Sequence, residues 1–555
     1  MIKYLFLFTI NIFVVISTFS QSDPSFVWAR HGKSIGVDKF QDVALDQNGF
    51  VYTVGNFDED LIIGTDTFPV VSSGNSCGII TKWDSNGVYQ WGMSLGNLGY
   101  PIELYRILIS DQNEVYVSGR LAGTCYIGTN AQGVDTTLYS TGSLRSFIAK
   151  YNTDGVLSWT RLLEGTYDNW IWNLEFDPSN NLVIVGDYNA DVDFGNGHTL
   201  TAYHQLDCFA AWFDPSGVCF NHLGYHGHLE ERMYDIAFDS QGNYAIGGAF
   251  NDSIFIGSDT LLSNGTGDAF ISYYNSNGVL QWYDYFGGSQ NSFINSDMVT
   301  NVEFDSNDEI YATGVYRDTL FFGQDSLISR GNIDSYLIKY DALGQKLNYN
   351  TIGGSSSGDA ITGLQLDNSN NLYMTITGNN ISYEDTTYYF FHGLDILVLK
   401  MNPNLEIEWL KRGGSNSSDY ASDLCLSPYG DVYVACQPGD NDPISFDTIS
   451  FSPVGNNWYS CVLAKLSFHA PRYVNIAEYK NVAQQYSLYP NPTSDFISIK
   501  GIESKETLFI VDQMGKVILE KSQQLSQPIE ISNLSKGLYY FILPEKGVAL
   551  QFVKN

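Results

Sequence analysis

The sequence predicts an all-β protein in which a unit of two hairpins is repeated, followed by a smaller β domain. Three observations predict this fold class. Aromatic residues make up 15% of the 555 residues, and 52 glycines supply many tight turns. Short runs rich in Val, Ile, Tyr, Phe and Trp flank turns that an Asp or Asn opens and a Gly closes, which is typical of β-hairpins. These hairpins recur at a regular spacing, which indicates a repeat architecture.

The N-terminal segment Met1–Ser20 predicts a secretory signal peptide. Lys3 precedes an apolar run from Tyr4 to Ile16, and Thr18 and Ser20 place small residues before a cleavage site. The run is too short and too polar for a membrane anchor, which is the alternative. No later stretch is long and apolar enough to cross a bilayer, so no membrane span is expected in the mature chain.

The repeated unit is clearest between Asp235 and Trp282. Its first hairpin contains the turn Asp239–Gly242, and its second contains the turn Asn275–Gly278. Two hairpins make four main strands, which is the content of one β-propeller blade. The first residue of the first turn, which we call the anchor, recurs at a nearly constant spacing, at Asp46, Ser110, Asp177, Asp239, Asp305, Asp367 and Ser427.

The two ends of the repeat region complement each other. The seventh unit has its third strand, Cys461–Leu466, but no tryptophan-containing fourth strand follows it. A lone segment, Phe26–Ala29, precedes the first anchor and resembles the fourth strand Leu280–Tyr283. As the last strand of the seventh blade, it would leave no exposed edge in that sheet. The sequence therefore predicts a closed seven-bladed β-propeller over residues 21–466, in preference to an open solenoid or a row of small sandwiches.

The repeats resemble the bacterial β-propeller repeats called SBBP, which are related in pattern to NHL repeats. The likeness is strongest in lines such as GIITKWDSNGVYQW, beginning at Gly78, and covers about residues 26–466. Members of that family share no single activity, so the resemblance implies a fold and not a function. The sequence departs from the pattern at Asn221 and Asn348, which replace the tryptophan, and at Ile376 and Cys436, which replace a glycine.

The last part of the chain predicts a linker and a second domain. Residues 467–485 carry no repeat, and alternating apolar positions with two further turns predict a small Ig-like β-sandwich over residues 486–555. Its motif residues include Tyr489, Pro490, Asn491, Pro492, Gly515, Gly537, Tyr539 and Lys554. With these motifs the segment resembles the type A C-terminal sorting domain of the type IX secretion system. The resemblance implies the secretion machinery as a partner and export through the periplasm to the cell surface or beyond. The alternative is a terminal sandwich of unrelated role.

The charge of the chain excludes some partners. The formal net charge is −33, from 28 basic and 61 acidic residues. Nucleic acid and anionic membrane surfaces would repel such a protein, so no nucleic-acid partner is expected. The composition suits a solvated extracellular surface or one that gathers cations.

Seven cysteines follow the predicted cleavage site, and an odd number cannot pair completely within one chain. The spacing of the two closest pairs does not match hairpin register, so all seven are expected to be buried small apolar residues. They are Cys77, Cys125, Cys208, Cys219, Cys425, Cys436 and Cys461.

Acidic residues just after the second strand of several units are candidate metal ligands. Loop carboxylates separated by one residue suit the oxygen coordination of Ca²⁺. The alternative is that they form turns on a solvated rim, because no complete ligand loop with regular spacing appears. The residues are Asp58, Asp60, Asp191, Asp193, Asp252, Asp318, Asp440 and Asp442.

A histidine group lies between the third and fourth units. His222, His226 and His228, followed by Glu230 and Glu231, are close enough in sequence to suggest Zn²⁺ or Cu²⁺. Their spacing matches no known zinc-protease motif, and the group occurs in one unit only. A polar insert in the loop between blades is therefore the favoured interpretation.

The tryptophans fall into two groups. One occurs once per unit, at residues 28, 91, 159, 282 and 409, and is expected to pack between blades. Trp170 and Trp172 lie outside that register, near a predicted loop between blades. Because aromatic rings pack well on sugars, these two are the candidates for stacking on a carbohydrate.

The sequence favours binding over catalysis. It contains no sialidase repeat, no quinoprotein docking motif and no nucleophile elbow near a triad, so no catalytic residue and no organic cofactor is predicted. The favoured function is a secreted, non-enzymatic binding or adhesion module for a glycan or a surface protein, with Ca²⁺ as a candidate bridging ion. One alternative is a polysaccharide hydrolase or lyase, which needs carboxylates that converge in a deep pocket near the axis. The other is a structural surface component.

Overall fold

The computed structural model describes most of the chain after residue 22. The described residues are 23–70, 76–96, 99–288, 297–355, 358–384, 386–388, 393–439, 443–452, 459–468, 486–501, 504–513, 517–532, 534, 536–543, 546 and 548–555. None of them belongs to an α-helix, and the search of these residues found no helix that could cross a membrane. The predicted signal peptide and nearly all of the predicted linker lie outside the described residues.

Strand β1 spans Ser25–His31 and belongs to the last of the seven sheets. In each of the first three sheets, the four main strands lie side by side in the order in which they occur in the sequence. Sheet 1 contains β2 (Lys39–Leu45), β3 (Val51–Phe57), β6 (Cys77–Trp83) and β7 (Tyr89–Leu95), with the hairpin β4 (Leu61–Ile63) and β5 (Asp66–Phe68) between its second and third main strands. Sheet 2 contains β8 (Ile102–Ile109), β9 (Val115–Thr129), β10 (Asp135–Tyr151) and β11 (Leu157–Leu162). Sheet 3 contains β12 (Asn169–Phe176), β13 (Leu182–Tyr188), β16 (Asp207–Phe213) and β17 (Cys219–Gly227), with the hairpin β14 (Asp191–Gly195) and β15 (His198–Thr201).

Four more sheets repeat this order. Sheet 4 contains β18 (Glu231–Phe238), β19 (Tyr244–Phe250), β22 (Asp268–Tyr274) and β23 (Leu280–Phe286). The hairpin β20 (Ser253–Ile256) and β21 (Asp259–Leu262) lies between β19 and β22 in the sequence but is hydrogen-bonded to the edge of sheet 3. Sheet 5 contains β24 (Met298–Phe304), β25 (Ile310–Tyr316), β28 (Asp334–Tyr340) and β29 (Lys346–Ile352), with β26 (Thr319–Phe322) and β27 (Asp325–Ile328). Sheet 6 contains β30 (Ala360–Leu366), β31 (Leu372–Gly378), β34 (Asp395–Met401) and β35 (Ile407–Gly414), with β32 (Ser382–Tyr383) and β33 (Thr386–Thr387). Sheet 7 contains β36 (Tyr420–Leu426), β37 (Val432–Gln437), β40 (Val462–Ser467) and β1. The hairpin β38 (Ile444–Phe446) and β39 (Ile449–Phe451) lies between β37 and β40 in the sequence but is hydrogen-bonded to the edge of sheet 6.

Sheet 7 joins the two ends of the repeat region. Strand β1 pairs antiparallel with β40, from Ser25 opposite Ser467 to His31 opposite Val462. This is the strand pairing that the sequence predicts for the lone N-terminal segment. The fourth strand of sheet 7 therefore comes from the N-terminal end of the repeat region, whereas its other three strands come from the C-terminal end.

The apolar core lies between the sheets. Seven buried clusters each combine residues from two neighbouring sheets, from sheets 1 and 2 through to sheets 6 and 7, and one of them combines sheet 7 with sheet 1. In that last cluster Trp28 and Leu463 contact a group that includes Phe40 and Ile79. Burial of this apolar surface is the main force that holds neighbouring sheets together.

The extra hairpins also connect neighbouring sheets. Each hydrogen-bonds to the chain at or just after the fourth strand of the preceding sheet. The pairs are Lys33 with Ile62, Gly96 with Tyr126, Glu164 with Asp193, Gly287 with Phe321, Gly353 with Ser382, and the strand pairs β17–β20 and β35–β38. The Lys33–Ile62 pair connects sheet 7 to sheet 1 by the same contact that joins the other neighbours.

The recurring tryptophans form a second connection, which confirms the predicted packing between sheets. In four of the five, the indole Nε1 donates to a carbonyl oxygen in the last turn of the next sheet, at 3.1 Å in each case. The pairs are Trp28 with Ser85, Trp91 with Thr153, Trp159 with Pro215, and Trp282 with Ala342. A glycine in the same turn lies against the ring, with positive φ: Gly87, Gly155, Gly217 and Gly344, in that order.

Replacing Gly217 with alanine should destabilise the protein more than the same change at Gly430. Both glycines have φ near +80°, so an alanine at either position is destabilised by about 1–2 kcal/mol because its backbone must adopt the left-handed conformation. A Cβ on Gly217 would lie 2.8 Å from the ring of Trp159, whereas nothing lies within 4 Å of one on Gly430. The overpacking adds about 1–3 kcal/mol. Calorimetric melting of the two variants measures the difference, and equal melting temperatures would contradict the contact.

Trp409 is the exception among these tryptophans. Its Nε1 is buried and has no hydrogen-bond partner among the described residues. For the other tryptophans, the accepting carbonyl lies in the turn between the third and fourth strands of the next sheet. In sheet 7 these strands are β40 and β1, which come from opposite ends of the repeat region and so are not joined by a turn. Phe468, just beyond β40, instead packs against the indole at 5.9 Å between ring centroids.

All seven cysteines are buried, which confirms their predicted role as small core residues. Cys208, for example, is fully buried and pairs across sheet 3 with Tyr225. Burial raises the pKa of its thiol well above the usual value, so the unreactive thiol is the stable form.

The C-terminal region contains two sheets around their own core. One contains β41 (Ser487–Tyr489), β42 (Phe496–Lys500) and β45 (Ile529–Glu530), and the other β43 (Lys505–Val511), β44 (Val517–Gln524), β46 (Gly537–Leu543) and β47 (Val548–Lys554). Ile497, Leu508, Phe541 and Phe552 are among the residues buried between them. Separate cores indicate that this region and the seven sheets are distinct folding units.

The sorting-motif residues lie along the strands of this region. Tyr489 ends β41, Gly537 begins β46, and Lys554 ends β47. The side chain of Asn491, which lies between Pro490 and Pro492, donates to the carbonyl of Gln551 and accepts from the amide of Val553. Tyr539 stacks on Phe552, with ring centroids 5.7 Å apart. Gly515 lies outside the described residues.

Candidate functional site

A central cavity of about 250 Å³ lies where the first strands of all seven sheets meet. Its lining includes Asp42, Arg106, Glu175, Asp235 and Glu303. The walls are therefore mainly polar and acidic, with one arginine among the described lining residues. A cavity surrounded by repeated strands, with a few polar groups directed inward, is a common place for a ligand site.

A ring of polar positions surrounds this cavity. Each first strand has a β-bulge, and the ring residue comes directly after it and four residues before the anchor. A bulge locally twists a strand and redirects its side chains. The ring residues are Asp42, Arg106, Asn173, Asp235, Asn301, Gly363 and Asp423. Sequence reasoning missed this ring, although a polar residue four positions before six of the seven anchors was the signal for it.

Arg106 connects sheets on both sides of the cavity. Its Nη1 lies 3.0 Å from Oδ2 of Asp423 in sheet 7, and its Nε donates to the carbonyl of Trp172 in sheet 3 at 2.8 Å. Gly363 leaves room for this pair, because a Cβ there would lie 2.4 Å from Oδ1 of Asp423. The carboxyl of Asp423 thus occupies the space that a side chain from sheet 6 would fill.

The carboxyl of Asp42 depends on Arg106. Burial and the nearby charge of Asp423 raise the pKa of Asp42 well above its usual value, while Arg106 and the amides of Ile107 and Val43 oppose the rise. Burial lowers the pKa of Arg106, but the carboxylates of Asp42, Asp423 and Asp235 raise it more, so the net shift is upward. The guanidinium therefore stays charged and offsets acidic groups that could not be buried alone.

Asp42 and Asp235 also join neighbouring sheets through backbone amides. Oδ2 of Asp42 accepts from the amide of Ile107 at 2.8 Å, and Oδ2 of Asp235 accepts from the amide of Val302 at 2.7 Å. The second oxygen of Asp235 accepts from the side chain of Asn173 and from the amide of Ile236. These two carboxylates are therefore structural hydrogen-bond acceptors.

A second acidic layer lies two residues further along the first strands. Burial raises the pKa of Glu175 to about 8. Burial, followed by the charges of Glu175 and Asp235, raises the pKa of Glu303 well above its usual value. Glu175 belongs to sheet 3 and Glu303 belongs to sheet 5. Sheet 4 lies between these two sheets and contributes the small side chain of Ala237 at this level, which leaves space for the two carboxyls. At neutral pH this pair holds at least one proton.

An aromatic cluster lies where the first strands of sheets 2, 3 and 4 begin, and consists of Tyr105, Trp170, Trp172 and Tyr234. The rings of Trp170 and Trp172 are parallel, with centroids 4.9 Å apart. Tyr105 lies 5.3 Å from Trp170, and Tyr234 lies 5.4 Å from Trp172. All four residues are half-buried. The tryptophans that the sequence singled out thus form one surface with two tyrosines from neighbouring sheets.

Charged groups hold the aromatic cluster in place. The guanidinium of Arg120 lies over the ring of Trp170 and donates to Glu103 at 3.3 Å. The Nε1 of Trp172 donates to Oδ2 of Asp187 at 2.5 Å. Burial raises the pKa of Asp187 to about 6, although this hydrogen bond and the charge of Arg232 act against the rise. The cluster is therefore a fixed surface with ionic groups at its edge.

The acidic loop residues are distributed over several sheets. Asp58 accepts from the amide of Val37, Asp60 from Val70, Asp191 from Thr166 and Asp193 from Gly195, and Asp252 lies 3.5 Å from His228. Asp318 has φ of 58° at a turn, and Asp440 and Asp442 lie outside the described residues. Nowhere in the described chain do three or more His, Cys, Asp or Glu side chains come together as a metal site.

The histidine group differs from its predicted setting. His222 and His226 belong to strand β17, and His228 follows it directly, so the loop location expected from the sequence is wrong. The physical reason is that β20 pairs with this end of β17, with His226 opposite Phe255, and so extends the strand. Glu231 is buried, and burial together with the charge of Asp207 raises its pKa to about 9.

Comparison with known proteins identifies the C-terminal region. Residues 487–551 match the family model described as the secretion system C-terminal sorting domain. This match indicates export of the chain to the cell surface or the extracellular space. It covers a small part of the chain and leaves the activity of the seven sheets unassigned.

The seven-sheet region has distant relatives. An uncharacterized WD repeat-containing protein, L264, of Acanthamoeba polyphaga mimivirus is 22% identical over 398 residues, which are 58% of this chain and 28% of that protein. The chain thus spans less than a third of the length of this curated relative.

Solved structures show weak similarity to this chain. An ulvan lyase of polysaccharide lyase family PL25 is 10% identical and covers 75% of this chain and 93% of its own, with a TM-score of 0.37. A Dyadobacter fermentans protein of unknown function is 10% identical and covers 79% and 99%, with a TM-score of 0.35. The Synechocystis apocarotenoid oxygenase is 11% identical and covers 81% and 95%, also with a TM-score of 0.35. Scores below 0.5 support no functional argument.

Proposed function

We propose that this chain is an exported recognition protein that binds a glycan at the aromatic cluster. The sorting domain, which indicates export, is the premise. The observation that carries the proposal is the fixed cluster of Tyr105, Trp170, Trp172 and Tyr234 with Arg120 at its edge. Aromatic faces suit the apolar faces of sugar rings, and charged groups beside them suit hydroxyl and acidic substituents. Because the surface is already ordered, little conformational entropy is lost on binding.

The proposed scaffold is a seven-bladed β-propeller of the SBBP or NHL-like type, closed by β1. Contacts between sheet 7 and sheet 1 support it, because the apolar cluster, the hairpin bridge and the tryptophan hydrogen bond all have the form found between other neighbours. The description of the mimivirus relative as a WD-repeat protein also supports it. The proposed domains are a signal peptide (1–20), the propeller (21–466), a linker (467–485) and an Ig-like sorting sandwich (486–555).

Glycan-array binding by the exported chain tests this function, with and without Ca²⁺. We expect binding to a subset of glycans, and Trp172→Ala should weaken it by roughly tenfold or more, as loss of a central aromatic contact does. Tyr429→Ala is the matched control, because Tyr429 is 89% exposed in the first turn of sheet 7, away from the cluster. Melting temperatures establish that both variants fold. A wild-type chain that binds nothing in either condition contradicts the proposal.

A polysaccharide hydrolase or lyase is the second candidate, and Glu175 and Glu303 favour it. A carboxyl with a pKa of about 8 holds its proton at neutral pH, as a general acid must. In the same assay, cleavage of a bound polysaccharide that Glu175→Gln abolishes would establish this activity. A structural surface component instead predicts self-association without glycan binding.

A further inference from the structure

Five of the eight histidines in the chain lie around one edge of sheet 3. They come from two segments, one that includes β15 and one that includes β17. His222, His226 and His228 are two or four residues apart and so share one face of the extended chain. The five are His198, His204, His222, His226 and His228.

His198 and His222 form the closest contact in this group. Their Nδ1 atoms lie 2.9 Å apart, and both side chains are half-buried. The tip of the β14–β15 hairpin is fixed over β17, because the side chain of Asn196 donates to the carbonyl of Cys219 at 3.0 Å. The ring of Phe194 lies against that of His222, with centroids 6.1 Å apart. The two imidazoles are therefore held together by the fold.

The two Nδ1 atoms already hydrogen-bond to each other. Two nitrogens at this distance share one proton, which one ring donates and the other accepts. Neutral imidazole nitrogens of this kind are common metal ligands in proteins.

The geometry requires little movement to admit a metal ion. Zinc–nitrogen bonds are about 2.0–2.1 Å long, so two nitrogens on a tetrahedral ion are about 3.3 Å apart. The Nδ1 atoms at 2.9 Å would separate by about 0.4 Å, within the reach of small χ rotations. An ion between them would replace the shared proton.

We infer that His198 and His222 bind a divalent transition-metal ion of the Zn²⁺ or Cu²⁺ type, with water completing the coordination. Imidazole is a favoured ligand of both ions. No third side-chain ligand lies close enough among the described residues, so the affinity is lower than that of a structural zinc site with four protein ligands. The net charge of −33 raises the local concentration of cations. The inference does not depend on glycan binding.

Zinc titration of the metal-free, full-length exported chain tests the site. Isothermal calorimetry in excess Ca²⁺ excludes weak binding to the many carboxylates, because Ca²⁺ competes for oxygen ligands but not for imidazole. We expect one site in the wild type and roughly tenfold or greater weakening in His198→Gln and in His222→Gln. His228→Gln is the matched control, since it removes a histidine from the same face, and it should bind within about twofold of wild type.

A second measurement covers the case in which a variant folds poorly. Electron paramagnetic resonance of the wild type with one equivalent of Cu²⁺ should show hyperfine coupling to two imidazole nitrogens. Unchanged zinc affinity in His198→Gln overturns the inference. So does a wild-type chain that takes up no zinc in excess Ca²⁺, or a copper spectrum with oxygen ligands only.

Discussion

Replacing Trp28 with alanine should lower the free energy of unfolding of the seven-sheet region by about 3–5 kcal/mol, the usual range for a buried tryptophan. Trp28 is 5% exposed although it lies near the start of the described chain. Its indole donates to Ser85 in sheet 1 and lies 5.9 Å from the ring of Tyr433 in sheet 7. The variant would therefore leave a cavity between the first and last sheets. Urea denaturation followed by tryptophan fluorescence measures the effect.

Trp409→Ala is the matched control for this prediction. Trp409 is buried to a similar degree, at 6% exposure, but lies between sheets 6 and 7. In a closed ring every junction is internal, so the Trp28 variant should lose at least as much stability as the Trp409 variant. A Trp28 variant as stable as Tyr429→Ala would mean that sheets 7 and 1 do not pack together, and the proposed closure would be wrong.

Replacing Arg106 with methionine should destabilise the protein at pH 8, by somewhat less than the about 3–5 kcal/mol of a fully buried ion pair, because the side chains of Arg106 and Asp423 are 26% and 21% exposed. Methionine keeps much of the side-chain volume but leaves Asp42 and Asp423 without their counter-charge. Each carboxyl must then hold a proton or be buried as an anion, and both cost free energy at this pH. Equilibrium unfolding at pH 8 measures the loss.

The pH dependence of this variant gives a second test. Burial already raises the pKa of Asp42 in the folded state, and loss of Arg106 raises it further. A folded-state pKa above the unfolded value gives stability that is present at low pH and lost as pH rises through the folded pKa. The deficit of Arg106→Met should therefore shrink between pH 8 and pH 5. Adding Asp423→Asn should restore part of the stability at pH 8, and a deficit that is independent of both changes would contradict the ion-pair role.

The repeat pattern predicted much of the fold because its signals are local. Turn residues such as Asp239 and Gly242 and the apolar runs beside them determine hairpins without reference to distant parts of the chain. The pairing of β1 with β40 was also predictable, since an unmatched strand and a vacant edge can be recognised by counting. The seven cysteines followed from their number and spacing.

The candidate site was less predictable because its residues meet only when neighbouring sheets pack. Trp172 stood out by its register, but its contact with Tyr234 depends on how sheets 3 and 4 pack, and its hydrogen bond to Asp187 depends on the pairing of β12 with β13. His198 was missed because only the packing of the β14–β15 hairpin against β17 brings it to His222. The acidic residues after the second strands were visible as a group, yet those that the structure describes belong to different sheets and do not come together as one metal site.

The pairing of Ser25 with Ser467 has a consequence for biosynthesis. A ribosome makes the N-terminal strand first and its partner only after all the other strands of the repeat region. Until then, Trp28 and its neighbours are without the strand that covers them. The chain therefore stays incomplete, with unsatisfied strand edges, through nearly the whole of its synthesis. Such a chain needs protection from aggregation during this period.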